Sequence, residues 1–279
     1  MTTPDPARHS ETPPNGPDRY RAPALDRGLD ILEVLSDQAR GLTRAEIVRE
    51  LGVSASQIYR MLERLVARGY VCRIEGGDRY ALTMRLFLLG TGHPPLRRLI
   101  AQAQPKMDAF ATRLRQSCHL VLPEHGHAVI VAQASPRSHW EFRALVGARM
   151  DLFATSSGLT LLAFQHPDRR AKTMGHWGLA PEEARIADLT EDLSEVREAG
   201  FRMAPSQQAV GVTDISAPIF GPAGDAMAVL TCPFLDRPDE ANTRAREKAR
   251  EALLDLAGAL SLNTAAPSPE PADDNGGRS

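Results

Sequence analysis

The chain has 279 residues, 42% of them hydrophobic and 24% charged, with a formal net charge of −2. That length suits about two domains of roughly 100–200 residues each, and the composition is that of a globular protein with a buried core. No apolar run approaches the roughly 18 residues needed to span a bilayer, and "MTTPDPARHSETPPNGPDR" holds no apolar core like that of a signal peptide, so a cytoplasmic protein with no membrane attachment is expected.

Residues 1–21, rich in Pro, Thr, Asp and Arg, read as a disordered tail. The segment "ALDRGLDILEVLSDQ" follows, with Leu25, Leu29, Leu32 and Leu35 at helical spacing along one expected core face. A second helix begins at Thr43, where Thr43-x-x-Glu46 forms a capping box. Ile47 and Leu51 face inward, and Gly52 fits the left-handed position that ends a helix. Ser54-x-x-Gln57 reads as another capping box, opening a third helix with Ile58, Leu62 and Leu65 as its buried stripe and Gly69 at its close. In "YVCRIEGGDRYALT" two β-prone runs flank Glu75-Gly76-Gly77-Asp78, a hairpin turn. Helix, helix, short turn, helix and hairpin over residues 22–92 make a winged helix-turn-helix.

Residues 93–107 read as a linker helix, with Pro105 as a kink or restart. Residues 108–263 alternate hairpins and helices. One hairpin turns at His125-Gly126 and another at Pro222-Ala223-Gly224-Asp225. "SSGLTLLAF" reads as a serine-capped helix, residues 181–199 as one or two helices, and "DEANTRAREKAREALLDLAGALSL" as a long terminal helix. Hairpins mixed with helices imply an antiparallel sheet covered by helices, so the fold class is α+β. Residues 264–279 read as a second disordered tail.

The buried stripe of the third helix leaves Ser56, Gln57, Tyr59, Arg60, Glu63 and Arg64 pointing outward, with Ser56, Arg60 and Arg64 on one face. In a helix-turn-helix the N-terminal residues of the second helix meet base edges in the major groove. Serine and glutamine hydrogen-bond bases or phosphates, and arginine grips guanine or phosphate in bidentate fashion. Thr43, Arg44 and Ser54 at the two helix starts, and Arg73 and Arg79 on the hairpin arms, complete the candidate DNA-binding set. The ordinary alternative is solvated arginines on the helix, with Arg73 and Arg79 paired to Glu75 and Asp78. The charge is unevenly placed: thirteen arginines face nine acidic residues between 20 and 98, a net +4, while the rest of the chain is acidic. A basic N-terminal domain suits a phosphate-bearing partner.

"ALDRGLDILEVL", "GLTRAEIVRELGVSASQIYRMLERLVARGYV" and "RYALTMRLFLLG" together resemble the DNA-binding half of the IclR family of bacterial transcriptional regulators. "FATSSGLTLLAF" and "LSEVREAGFRMAPSQQAVGVTDISAPIFGPAGDAMAVLT" resemble its C-terminal half, with Gly200, Gly211, Ala217, Pro218 and Gly224 in place. The resemblance covers residues 22–262. Where the family often has Pro-Lys-Ser-Thr, this chain has Ser54-Ala55-Ser56-Gln57; Ser56 and Arg60 match, Ala55 and Gln57 do not. The resemblance implies a dimer, or a dimer of dimers, on a partly palindromic double-stranded DNA operator. It implies a GAF/PAS-like C-terminal domain that binds a small-molecule effector, no cofactor and no catalysis. Met150, Ser156, Ser157, Asp214, Thr231 and Pro233 fall at or near the family's effector-contact positions. Ser156, Ser157 and Thr231 can donate to a carboxylate, and the N–H groups at the start of the "SSG" helix favour an anion, so an organic acid is the expected effector.

Two other constellations bear on function. His119, His125 and His127 lie near Cys118 on a hairpin, where alternate histidines could bind a metal, although solvent-exposed histidines at a turn are the plainer reading. Cys232 beside the expected pocket could serve a small-molecule redox enzyme, or could be an inert buried thiol. The rival functions are therefore that enzyme and a DNA-architectural protein without a ligand. The only cysteines are Cys72, Cys118 and Cys232, too scattered for a disulfide framework or a cysteine zinc site.

Overall fold

The computed structural model describes residues 22–262, apart from 75–77, 93, 137, 139–140, 167–173, 176–185, 187 and 238–240. The two tails, the expected turn residues Glu75, Gly76 and Gly77, and the start of the expected 181–199 helix lie outside the described residues. The chain divides into two compact units, one ending at His93 and the other beginning at Pro94.

The first unit contains α1 (Pro23–Ser36), β1 (Leu42–Thr43), α2 (Arg44–Leu51), α3 (Ala55–Ala67), β2 (Val71–Arg73), β3 (Arg79–Leu82) and α4 (Arg85–Gly92). Its antiparallel sheet has the order β1-β3-β2. Ile31, Leu35, Ile47, Ile58, Leu62, Val71 and Tyr80 fill the core between helices and wing. The α2 capping box forms as expected: Glu46 N donates to Thr43 Oγ1 at 3.2 Å, and Thr43 N donates to Glu46 Oε2 at 2.8 Å. Gly52 ends α2 at a φ of 62°, the left-handed conformation.

Two expectations change here. Ser54 caps α3 by position, but its side chain accepts no backbone N–H of the helix; its Oγ lies 3.2 Å from Ser56 Oγ instead. In α1 the buried residues are Ile31 and Leu35, while Leu25 and Leu29 are exposed. Leu25 and Leu29 point about 120° or more around the axis from Ile31, so of the expected run only Leu32 and Leu35 lie against the core.

The second unit opens with α5 (Pro94–Leu114), which runs unbroken through Pro105. A six-stranded antiparallel sheet follows, built from β4 (Cys118–Glu124), β5 (His127–Ala134), β6 (Arg149–Asp151), β7 (Arg202–Pro205), β8 (Val212–Phe220) and β9 (Ala226–Leu235) in the order β6-β5-β4-β9-β8-β7. The helices α6 (Ser156–Ala163), α7 (Thr190–Ala199) and α8 (Asn242–Leu260) complete it. One face of the sheet carries Leu120, Ile215, Ala217 and Leu230 against Met107 and Phe110 of α5 and Leu253 and Leu256 of α8. The other carries Val121, Ile130 and Val229 against Leu159 and Leu162 of α6 and Leu193 and Val196 of α7. Alternation along each strand assigns its residues to one core or the other. The architecture is α+β, as expected.

Candidate DNA interface and effector site

Ile58 and Leu62, both fully buried, set the rotation of α3. Ser56, Gln57, Tyr59, Arg60 and Arg64 are therefore exposed. The Arg44 guanidinium stacks 5.0 Å from the centre of the Tyr59 ring, which joins the start of α2 to the open side of α3. Arg60 and Arg64 form no ion pair among the described residues, so both charges stand available to solvent or to an anion. The hydroxyl of Thr43 is engaged by Glu46 N as a cap.

The wing arginines behave differently from α3. Arg73 pairs with Glu63 and lies 5.5 Å over the Tyr80 ring; the Glu63 hydrogen bond holds its guanidinium charged even above the usual range. Arg79 donates through Nη1 to the Gly41 carbonyl at 2.9 Å and to Glu46 Oε2 at 3.1 Å, and through Nη2 to Glu46 Oε1 at 3.3 Å. Among the described residues the partners are thus Glu63 and Glu46 rather than Asp78; the expected pairing with Glu75 lies outside the described residues. The Glu46 carboxyl is held below its ordinary range, first by the Thr43 backbone N–H, and also by Arg79. Arg79 ties the wing to the start of α2 and has little freedom left for phosphate.

In the second unit, a row of polar side chains crosses the sheet. Register pairs Gln133 with His119, His119 with Thr231, Thr231 with Ser216, and Ser216 with Arg202, across β5, β4, β9, β8 and β7. Directly opposed residues of an antiparallel pair project to the same face, here the face covered by α6. Ser157 Oγ and Ser216 Oγ each lie 2.8 Å from Thr231 Oγ1, and Ser216 Oγ donates to Ser156 Oγ at 2.9 Å. Arg202 Nη1 closes the chain on Ser156 Oγ at 3.4 Å. All four hydroxyl side chains are buried.

Helix α6 is capped by Thr155 rather than by a serine: Gly158 N donates to Thr155 Oγ1 at 3.3 Å. Ser156 and Ser157 are thereby released from capping and sit in the first turn, turned toward the sheet. Gly158 brings α6 against the preceding loop, where an added Cβ would lie 2.1 Å from the Leu152 carbonyl oxygen. Asp214 stands opposite Pro233 in register. Burial raises the Asp214 carboxyl above its ordinary range, opposed by a hydrogen bond from Ser206 and the charge of Arg202. Met150 is half-buried on β6 against the core under α6. A groove of 330 Å³ beside Arg202 is lined by Asp192, Glu195, Val196, Phe201 and Met203 among others.

The structure thus brings Ser156, Ser157 and Thr231 together and adds Ser216 and Arg202, which local reading of the sequence does not reach, and His119, which that reading places only with the other histidines. The three histidines do not converge. His125 is in the exposed turn and His127 is half-buried beside it, whereas His119 is buried at the far end of β4. Cys232 is not beside the site: it lies with Cys118 in the opposite core, under α5 and α8. Burial pushes the Cys118 thiol up to about 12 and the Cys232 thiol well above its usual value, so neither supplies a thiolate for redox chemistry.

Residues 24–74 match the family model for the IclR helix-turn-helix domain, and residues 96–262 match that for the bacterial transcriptional regulator IclR C-terminal domain. The chain is 25% identical over 207 residues to the DNA-binding transcriptional repressor YiaJ of Escherichia coli, covering 71% of this chain and 72% of that protein. It is 23% identical over 239 residues to the transcriptional repressor IclR of the same organism, covering 83% and 87%. Among solved structures, an IclR homolog from Microbacterium hydrocarbonoxydans complexed with 4-hydroxybenzoate aligns with a TM-score of 0.68 at 24% identity, over 86% of this chain and 98% of that one.

Proposed function

The chain belongs to the IclR family of bacterial transcriptional regulators, and from that premise we propose that it is a ligand-responsive regulator that binds a partly palindromic DNA operator as a dimer and changes DNA affinity when its C-terminal unit takes up a small carboxylic acid. The named relatives are transcriptional repressors, not enzymes. No helix among the described residues is long and apolar enough to cross a membrane, and the regulator acts on DNA in the cytoplasm.

The observation that carries the effector reading is the buried chain Ser157–Thr231–Ser216–Ser156, ending on Arg202 at the start of α6. Hydroxyls, a guanidinium and a helix N-terminus together offer donors and positive charge, the complement of a carboxylate. The open face of α3 supports the DNA reading. Leu25, Leu29, Met84, Phe87, Leu88 and Leu89 are exposed on the first unit and support pairing with a second copy, as half-sites on DNA require.

The test is a thermal-shift screen of the full chain with small carboxylic acids, followed by operator binding with each hit. A ligand at 100 times its Kd stabilises the folded state by about 2.7 kcal/mol. The reading expects at least one acid that raises Tm and alters operator affinity. If acids raise Tm without altering operator affinity, or no acid does either, the ligand-responsive reading fails.

A further inference from the structure

Three buried polar groups gather where the cross-sheet row reaches β4 and β5. The His119 ring is 6% exposed and has no hydrogen-bond or ion partner among the described residues; burial alone acts on it and lowers its pKa to about 4, so it is neutral. Its register neighbour Gln133 donates from Nε2 to Ser135 Oγ at 3.1 Å and to the Phe142 carbonyl at 3.4 Å, leaving Oε1 buried and unbonded. A carbonyl only accepts, so Phe142 fixes the orientation of the amide, and the free atom is the acceptor. Ser117, two residues before His119, also has a buried Oγ without a partner among the described residues. Each unmet buried group costs about 1–3 kcal/mol, and Ser117 Oγ and Gln133 Oε1, two such atoms beside the unpartnered His119 ring, call for a partner from outside the chain.

We propose that Ser117, His119 and Gln133 form a hydroxyl-recognising end of the effector site, so that the ligand is a hydroxylated carboxylic acid. This rests on the reading of the serine and threonine row as the carboxylate end. Gln133 Oε1 requires a donor, and the neutral imidazole offers one donor and one acceptor. A hydroxyl is both and satisfies the pair. A second carboxylate would set its oxygens against Gln133 Oε1, and an ammonium would bury a charge with no carboxylate opposite it in the row. His119 and Ser216 are two strands apart, about 10 Å, a span that a small hydroxy acid bridges.

The test is calorimetry on the full chain with matched acids: benzoate against 3- and 4-hydroxybenzoate, and butyrate against 4-hydroxybutyrate. The wild type should bind one hydroxylated member at least about tenfold more tightly than its plain partner. His119→Phe and Gln133→Leu should erase that preference and keep the binding of the plain acid. Thr231→Val should weaken both members alike. His119→Asn retains a donor and an acceptor in a smaller side chain and should keep part of the preference, which separates recognition from misfolding. Equal binding of every matched pair by the wild type, or a preference that survives in His119→Phe, overturns the hydroxyl end and leaves the carboxylate end standing. Binding of none of these acids by the wild type counts against both.

Discussion

The Ser157 hydroxyl lies 2.8 Å from that of Thr231 across 74 residues of chain, and both side chains are buried. That bond fastens the first turn of α6 to the middle of the sheet. Thr231→Val keeps the side-chain shape and removes Oγ1, leaving Ser157 Oγ without its sheet partner. The expected cost is about 1–3 kcal/mol of stability, with effector affinity lowered about tenfold, the loss of roughly one good hydrogen bond to a charged group. Operator binding by the ligand-free protein should be unchanged. Urea unfolding, calorimetry and a DNA titration check the three parts, and wild-type effector affinity in this variant would remove Thr231 from the site.

Gly158 decides how closely α6 can approach its preceding loop. In a helix Gly→Ala ordinarily gains about 1 kcal/mol. Here the new Cβ would stand 2.1 Å from the Leu152 carbonyl oxygen and 2.6 Å from its Cα, both backbone atoms that cannot swing away. Gly158→Ala should therefore destabilise by about 3 kcal/mol or more. It should also weaken effector binding, because Ser156 and Ser157 move with the helix. Denaturant midpoints compared with Gly28→Ala, where a Cβ meets nothing within 4 Å, check the sign.

Arg60 and Arg79 separate reading from scaffolding in the first unit. Arg60 is exposed and has no partner among the described residues, so Arg60→Ala should leave Tm within about 1 °C, as a substitution at an open surface does. Its operator affinity should fall by about 1–3 kcal/mol. Arg79→Ala breaks the contacts with Glu46 and the Gly41 carbonyl and should lower the Tm of the first unit as well as DNA affinity. Thermal melts beside operator titrations distinguish them: an Arg79→Ala protein that loses DNA affinity at an unchanged Tm would return Arg79 to the phosphate-contact set.

What could be read from the sequence was local. The Thr43 and Glu46 capping box, the left-handed Gly52 and the Ile58–Leu62 stripe each involve residues within one turn or two, and each forms. Locality also set the limits. Ser54-x-x-Gln57 has a permitted capping pattern, but Ser54 Oγ meets Ser56 instead of the backbone. Leu25 and Leu29 are as apolar as Ile31, and only the packing of the other helices decides which side of α1 is covered. Ser216 and Arg202 joined the site because strand register aligns them with Thr231. The burial of His119 depends on pairing 112 residues downstream with Thr231, which no nearby residue signals.

His119 also makes stability depend on pH. Burial depresses its pKa from 6.5 to about 4 in the folded chain, so between those values the unfolded state binds a proton that the folded state does not. Stability then rises with pH across that window, and acidification from pH 6.5 to 4 should cost on the order of 3 kcal/mol. Asp214 acts in the opposite sense: its carboxyl is raised by burial, so protonation at low pH relieves a cost. The His119→Asn comparison isolates the histidine because Asp214 is present in both proteins. Denaturant unfolding at half-unit pH steps should show a difference between wild type and His119→Asn that changes between pH 6.5 and 4 and is level above pH 7. A pH-independent difference would mean that His119 titrates normally in the folded chain and is not held neutral by burial.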